Sequence, residues 1–207
     1  MKNLVLAISV IVPMLVACQP EKPAMLDASA PQPQILAGSE TATLGAGCYW
    51  CTEAAFKQLD GVISVTPGFM GGTAENPTYE EVCKGNTGHA EVTQIVFNPQ
   101  KITFTQILGW FWNLHDPTTL NRQGNNVGTQ YRSVIFYHSD IQKQSAETSK
   151  AAAAAALMQP IVTTITPATR FFPAPKKHQN YYFENKSKNP YCKFVIEPKL
   201  KKLKLNH

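Results

Sequence analysis

The segment Gly45-Ala46-Gly47-Cys48-Tyr49-Trp50-Cys51 places two thiols where a chain leaves a turn and enters a helical pattern. The first turn of a helix presents N–H groups without intrahelical partners and a partial positive charge. A thiol held there has its pKa drawn from ~8.5 towards ~3.5–7.5. Thiolate is the nucleophile, so Cys48 is expected to react near neutral pH. Cys51 lies one turn further on, where the helix end helps less. The plain alternative is that Cys48 is a small buried apolar residue, the usual fate of a free cysteine. The flanking glycines and the adjacent Trp50 weigh against it. With Cys18 set apart, the remaining cysteines are Cys48, Cys51, Cys83 and Cys192, and they permit three pairings. A zinc site needs two C-x-x-C pairs or nearby histidines. One C-x-x-C is present, so no metal is expected.

The elements that must position these thiols follow from pattern and punctuation. Thr41–Leu44 is β-prone and Gly45-Ala46-Gly47 breaks it. From Cys48, Trp50, Ala54, Ala55, Phe56 and Leu59 recur at helical spacing until Asp60-Gly61. Val62–Pro67 reads as a strand and the glycine-rich stretch 68–88 as a long loop. Residues 91–97 alternate as a strand. Thr103 with Gln106 makes a capping box for a helix through Leu114, which Asp116-Pro117 stops. A second long loop spans 116–130. Ser133–Tyr137 reads as a strand, Ser139–Met158 as a helix, Ile161–Thr166 as a strand, and 176–182 as a short helix. This order suggests an α+β sandwich, helices over a mixed or antiparallel sheet. Long loops inside a compact domain carry function more often than not.

Composition bounds the remainder. Hydrophobic residues make up 43 % and charged residues 16 % of the 207, a globular balance that excludes disordered and collagen-like classes. No run of ~18 apolar residues follows the N-terminus, which excludes a polytopic membrane protein. The formal charge is +5, but nine of the nineteen basic residues lie between Lys176 and Lys204. Lys199, Lys201, Lys202 and Lys204 sit within the last nine residues, and such a stretch without interleaved aromatics reads as a solvated basic tail, 199–207, with no nucleic-acid signature. Lys2 followed by the apolar run Leu4–Ala17 has the form of a secretory signal. Leu15-Val16-Ala17-Cys18 resembles the lipobox of bacterial lipoproteins, in which the cysteine is lipidated after cleavage. The expected leader is therefore 1–17. Residues 18–39, with Pro20, Pro23, Pro31 and Pro33, read as a lipidated cysteine and an extended tether. Gln19 in place of an aspartate favours the outer membrane of a Gram-negative cell.

Further motifs along residues 41–192 give the body a family resemblance. Gly47-Cys48-Tyr49-Trp50-Cys51 resembles the GCFW signature of A-type peptide methionine sulfoxide reductases. In the same order come Asn76-Pro77-Thr78-Tyr79-Glu80-Glu81-Val82-Cys83, Gly85-Asn86-Thr87-Gly88-His89-Ala90-Glu91, Phe111-Trp112 with His115-Asp116-Pro117, and Arg122-Gln123-Gly124. Gly128-Thr129-Gln130-Tyr131-Arg132-Ser133, His178-Gln179 with Tyr181-Tyr182, and Asn189-Pro190-Tyr191-Cys192 complete the set. The resemblance implies a ferredoxin-like α/β sandwich over 40–198 and reduction of methionine S-sulfoxide, protein-bound or free. Cys48 would attack the sulfoxide sulfur, and Glu91 would protonate the departing oxygen, which needs a raised pKa. Tyr79 and Tyr131 would donate hydrogen bonds to that oxygen. Tyr49 and Trp50 would form the apolar pocket for the methyl group. Cys48 would emerge as a sulfenic acid, which a second thiol converts to a disulfide. Cys192 matches the resolving position. No cofactor is implied, only an external dithiol reductant such as a thioredoxin-like protein. The partners would be oxidised methionine in exported proteins, that reductant and a membrane through Cys18, with the enzyme a monomer.

Without the resemblance, Glu91 would read as a surface carboxylate, and Tyr79 and Tyr131 as loop aromatics. Trp110 and Trp112 read as helix packing, Cys83 as a structural thiol, and His89, His115 and His178 as loop-holding groups. Two positions depart from the family pattern. Asn126 stands where many members have an aspartate that helps hold the substrate backbone. Lys193–Pro198 and the lysine run replace a glycine-rich tail, so Cys51 stands as the alternative resolver. Two other functions fit the thiols. A thioredoxin-like exchange enzyme would use Cys48 and Cys51 as its redox pair, and a tethered binding protein would keep them as structural groups. The first gives no reason for Tyr79, Glu91 and Tyr131. The second predicts that no thiol labels quickly near pH 7.

Overall fold

A computed structural model describes residues 38–206. The expected leader 1–17, Cys18 and the tether through residue 37 lie outside the described residues. Seven elements build the frame: β1 (Glu40–Ala46), α1 (Tyr49–Phe56), β2 (Val62–Met70), α2 (Tyr79–Cys83), β3 (Ala90–Phe97), α3 (Phe104–Leu114) and β6 (Ser133–Tyr137). Between α3 and β6 lie the two-residue strands β4 (Arg122–Gln123) and β5 (Asn126–Val127). After β6 come α4 (Asp140–Leu157), β7 (Thr164–Pro167), β8 (Phe172–Pro173) and α5 (Tyr181–Asn185). A π-helical segment, Cys192–Ile196, runs directly into α6 (Glu197–Lys202).

The main sheet has the order β7-β6-β1-β3-β2-β8. All its pairs are antiparallel except β6–β7, so the sheet is mixed. Its centre is the run β1-α1-β2-β3-α3-β6 in the order β6-β1-β3-β2, the split βαβ arrangement of ferredoxin-like folds. One face carries α1, α3 and α6 over Ala42, Leu44, Ile95, Phe97 and Ile135, all fully buried. The other buries Met70, Ala90, Val92, Val134 and Phe136. Strand parity matters for the site. On β3, residues 91, 93, 95 and 97 share a face, so Glu91 points to the side that Ile95 and Phe97 share with the helices.

Several expectations need correction. The stretch 68–88 is not one loop. β2 continues through Pro67 and Gly68 to Met70, and α2 forms on a capping box in which Thr78 and Glu81 bond reciprocally. The loop 116–130 contains the β4–β5 hairpin and a 3₁₀ turn, Thr129–Tyr131. The expected helix over 176–182 is a 3₁₀ turn, Lys176–His178, followed by α5. The boundary expected at 198 falls inside a helix, and in the expected basic tail Lys201, Lys202 and Lys204 are exposed while the leucines among them turn inward. α6 crosses that boundary, Leu200 is fully buried, and Leu203 and Leu205 pack on the core. Gln58 clamps the chain end, donating to the Asn206 carbonyl at 3.0 Å and accepting from its N–H at 2.8 Å. The apolar stripe Ile196–Leu200–Leu203 at helical spacing dictates this docking. No helix among the described residues is long and apolar enough to cross a membrane.

Candidate active site

β1 delivers the chain to Gly47, whose φ of +84° turns it into α1. A Cβ at Gly47 would stand 2.5 Å from the Gln123 Cβ, so the close approach also demands glycine. Cys48 is the N-cap of α1, in extended conformation, and the Cys51 N–H donates to its carbonyl at 3.1 Å. The thiol therefore stands at the helix terminus as the sequence suggests. Both cysteines are buried, Cys48 at 6 % exposure and Cys51 at 1 %.

Glu91 reaches the same point from β3. Its Oε2 accepts the Tyr49 N–H at 3.2 Å, one residue from Cys48. Burial pushes its carboxyl up to about 8 against the opposing pull of that N–H, and negative charge on Cys51 adds to the rise. A carboxyl in such a setting keeps its proton at neutral pH.

α2 presents Tyr79 from its first position. Burial pushes its hydroxyl well above the phenol range, with a hydrogen bond to Cys83 and the proximity of Glu91 acting the same way, so it stays a donor. Tyr131 ends the 3₁₀ turn and lies within electrostatic reach of Tyr79. The Gln130 side chain donates to the Cys83 carbonyl at 3.1 Å and ties that turn to α2. Cys83, expected to be only structural, thus touches a site tyrosine.

Aromatic rings enclose the thiols. Trp50 stacks on Tyr181 with centroids 3.7 Å apart and planes 8° apart. Tyr191 meets Trp50 edge-on at 5.8 Å. Glu53 fixes this stack, accepting the N–H groups of Asn180 at 2.6 Å and Tyr181 at 3.2 Å. Tyr49 is placed differently from Trp50. Its ring is buried against Phe69, and its hydroxyl bonds His178 Nδ1 at 3.0 Å. The half-buried rings near Cys48 are Trp50, Tyr79, Tyr181 and Tyr191, so Tyr49 reaches the reacting centre chiefly through its N–H.

The two thiols influence one another's ionisation. Burial, Cys51 and Glu91 push the Cys48 thiol up, while Cys48, Lys199 and Tyr191 bring Cys51 down to about 6. Burial and the second thiol thus oppose at Cys48 the lowering that the helix terminus would give. Asn126 donates to the Tyr191 hydroxyl at 3.1 Å, which leaves the Tyr191 proton directed to the sulfurs. Cys192 is fully buried in the π-helical segment, within electrostatic reach of Cys51. Tyr191 and Lys199 were not singled out from sequence.

The histidines hold structure. His89 accepts from the Gly72 N–H at 3.1 Å through Nδ1, which leaves the Nε2–H to donate to Ala74 O at 2.8 Å. His115 bonds Phe111 O and Ser133 Oγ, and burial lowers it to about 4. No group of three metal-ligating side chains occurs among the described residues.

Comparison with known proteins agrees with this geometry. The family model described as peptide methionine sulfoxide reductase matches residues 40–207. Peptide methionine sulfoxide reductase MsrA of Sulfolobus acidocaldarius is 53% identical over 167 residues, 81% of this chain and 94% of that protein. The crystal structure of reduced Mxr1 from Saccharomyces cerevisiae is similar at 34% identity and a TM-score of 0.72, covering 75% of this chain and 90% of that one. Mxr1 in complex with Trx2 is similar at 26% identity and a TM-score of 0.51, over 70% and 86% of the two chains.

Proposed function

The chain belongs to the peptide methionine sulfoxide reductase family, and from that premise we propose how its residues divide the reaction. The enzyme reduces methionine S-sulfoxide to methionine through a cysteine redox cycle, without a prosthetic group. Cys48 attacks the sulfoxide sulfur. The neutral Glu91 carboxyl gives its proton to the oxygen, while Tyr79 and Tyr131 donate hydrogen bonds to it as charge develops there. Trp50 and its aromatic neighbours hold the methyl group. Methionine leaves, and the oxygen stays on Cys48 as a sulfenic acid. The observation that carries this reading is the Tyr49 N–H bond to Glu91, which sets a buried, neutral acid beside the nucleophile.

The closeness of Cys51 to Cys48, one helical turn apart with the Cys51 N–H on the Cys48 carbonyl at 3.1 Å, favours Cys51 as the first resolver. Cys192 then takes over the disulfide and passes it to the reductant. A thioredoxin-like protein is the fitting reductant, since a similar chain forms a complex with one. Asn126 acts on substrate binding through Tyr191. The reaction is tested with dimedone and a pulse of N-acetyl methionine S-sulfoxide, without reductant. A dimedone adduct on Cys48 in Cys51→Ser, with one methionine formed per chain, is the expected result. Methionine formed in Cys48→Ser would overturn it.

The site of action rests on the sequence of residues 1–37. Lys2, the apolar run to Ala17 and the lipobox-like Leu15–Cys18 support export and lipidation of Cys18. The enzyme would then repair exported proteins from a membrane tether. Labelled palmitate should enter the wild-type chain and not Cys18→Ser; equal labelling, or none in either, would contradict the anchor.

A further inference from the structure

His178 has no part in the reaction as described, yet its ring is a neighbour common to two parts of the site. The segment that carries it is pinned on β2. The Ala174 N–H donates to Pro67 O at 2.9 Å, and Gln179 Nε2 donates to Pro67 O and Ala174 O, each at 2.9 Å. The His178 side chain is buried, with its ring 5.5 Å from that of Trp50, planes 20° apart, and 4.3 Å from that of Tyr79. Trp50 comes from α1 and bounds the methyl pocket. Tyr79 comes from α2 and serves the oxygen. One polar bond orients the ring that both of them meet: the Tyr49 hydroxyl lies 3.0 Å from His178 Nδ1, and both groups are buried. Burial pushes that hydroxyl well above the phenol range, so it keeps its proton. A buried O–H needs an acceptor. The hydroxyl therefore donates and Nδ1 accepts, which places the ring proton on Nε2.

We infer that Tyr49 and His178 are a positioning pair: the Tyr49 hydroxyl holds the His178 ring, and that ring fixes Trp50 relative to Tyr79 and so sets the room for the alkyl group on the substrate sulfur. The inference rests on the sulfoxide reductase reading and deepens it by naming what restricts that group to methyl. Trp50 and Tyr79 stand on separate elements, and a close-packed interior passes any shift of a shared neighbour on to both. With Nδ1 bound, the imidazole has one orientation. With Nδ1 unpaired, the ring carries a buried polar atom that must find another partner, and the pocket walls lose their common support. The GCFW signature carries phenylalanine where this chain has Tyr49, so the hydroxyl is a feature of this chain and not of the signature.

The test uses the full chain as wild type, Tyr49→Phe, His178→Leu and the double variant. With dithiothreitol as reductant, kcat/KM is measured for N-acetyl methionine S-sulfoxide and for N-acetyl ethionine S-sulfoxide, which is one methylene longer on the sulfur. A methylene against an apolar wall is worth about 10–200-fold in selectivity, and wild type should prefer the methyl substrate by that order. Tyr49→Phe keeps the ring and the N–H that serves Glu91 and removes only the hydroxyl. It should lower kcat/KM for the methyl substrate about tenfold and bring the methyl-to-ethyl ratio to within about threefold. Loss of folded enzyme would lower both substrates alike and leave the ratio unchanged. In the His178→Leu background, Tyr49→Phe should change the ratio no further, because the hydroxyl then has no ring to hold. The inference is overturned if Tyr49→Phe keeps the wild-type ratio, or if wild type does not distinguish the two substrates. It is also overturned if Tyr49→Phe lowers the ratio as much in the His178→Leu background as in wild type. Should His178→Leu not fold, the Tyr49→Phe ratio decides alone. Absence of methionine from wild type would instead refute the underlying reaction.

Discussion

Replacing Glu91 by Gln separates the chemistry of this carboxyl from its shape. Gln keeps the size and still accepts the Tyr49 N–H, but it has no proton to give. With the carboxyl pushed up to about 8 by burial, about nine in ten wild-type molecules carry that proton at pH 7. Removing a positioned general acid costs about 10²–10⁴ in rate. First-turnover methionine formation by Glu91→Gln should fall in that range, with substrate binding little changed. Wild type should lose activity as pH rises through about 8, and the residual activity of the variant should lack that limb. Stability provides an independent reading. The folded-state pKa is raised, so the folded protein binds the proton more tightly than the unfolded chain. That contribution is complete below pH 4.5 and is lost as pH climbs to about 8, on the order of 3–5 kcal/mol in all. Glu91→Gln removes this dependence. Urea unfolding under reducing conditions should show the variant gaining on wild type between pH 5 and 8. Activity within threefold of wild type, or a stability gap that does not change with pH, would refute the assignment of a neutral buried acid.

Other substitutions probe the surroundings. Asn126→Asp turns the donor to Tyr191 into an acceptor, draws the Tyr191 proton away from the sulfurs and adds a negative charge. The pH midpoint of Cys48–Cys51 bond formation should rise by about one unit; an unchanged midpoint would remove Tyr191 from the sulfur pair. Leu200→Ala should cost about 2–5 kcal/mol in denaturant unfolding, because Leu200 seats α6 on the core; a change under about 1 kcal/mol would refute that docking. Tyr79→Phe, removing one donor to the oxygen, should slow methionine formation without altering the rate at which the disulfide then closes; equal slowing of both steps would assign Tyr79 to structure.

The centre of the fold was legible because its elements have clear periods and boundaries. β3 alternates, α3 opens on the Thr103–Gln106 capping box, and Gly45-Ala46-Gly47 marks the turn to Cys48. α2 carried the same capping signal at Thr78 and Glu81 but is only five residues long, and the glycines around it hid it in a loop. Pro67 and Gly68 likewise disguised the end of β2, which pairs on through both residues. The tail misled because four lysines dominate its composition, although Ile196, Leu200 and Leu203 form a buried stripe. Within the site, the motifs brought Cys48, Glu91, Tyr79 and Tyr131 together. Spacing could not show that burial and Cys51 reverse the expected shift at Cys48, since that depends on which charge lies across the fold. Tyr191 meets Trp50 only after the C-terminal segment docks on α1, a contact between residues far apart in the chain.

The most direct test of the account is a single-turnover comparison of the two epimers of N-acetyl methionine sulfoxide. The reduced full chain is offered each epimer separately, beside Cys48→Ser, and methionine is counted against thiols lost. The account predicts methionine from the S epimer alone, matched by the loss of two thiols per methionine, and none from Cys48→Ser. Methionine from the R epimer, or equal yields from wild type and Cys48→Ser, would contradict it.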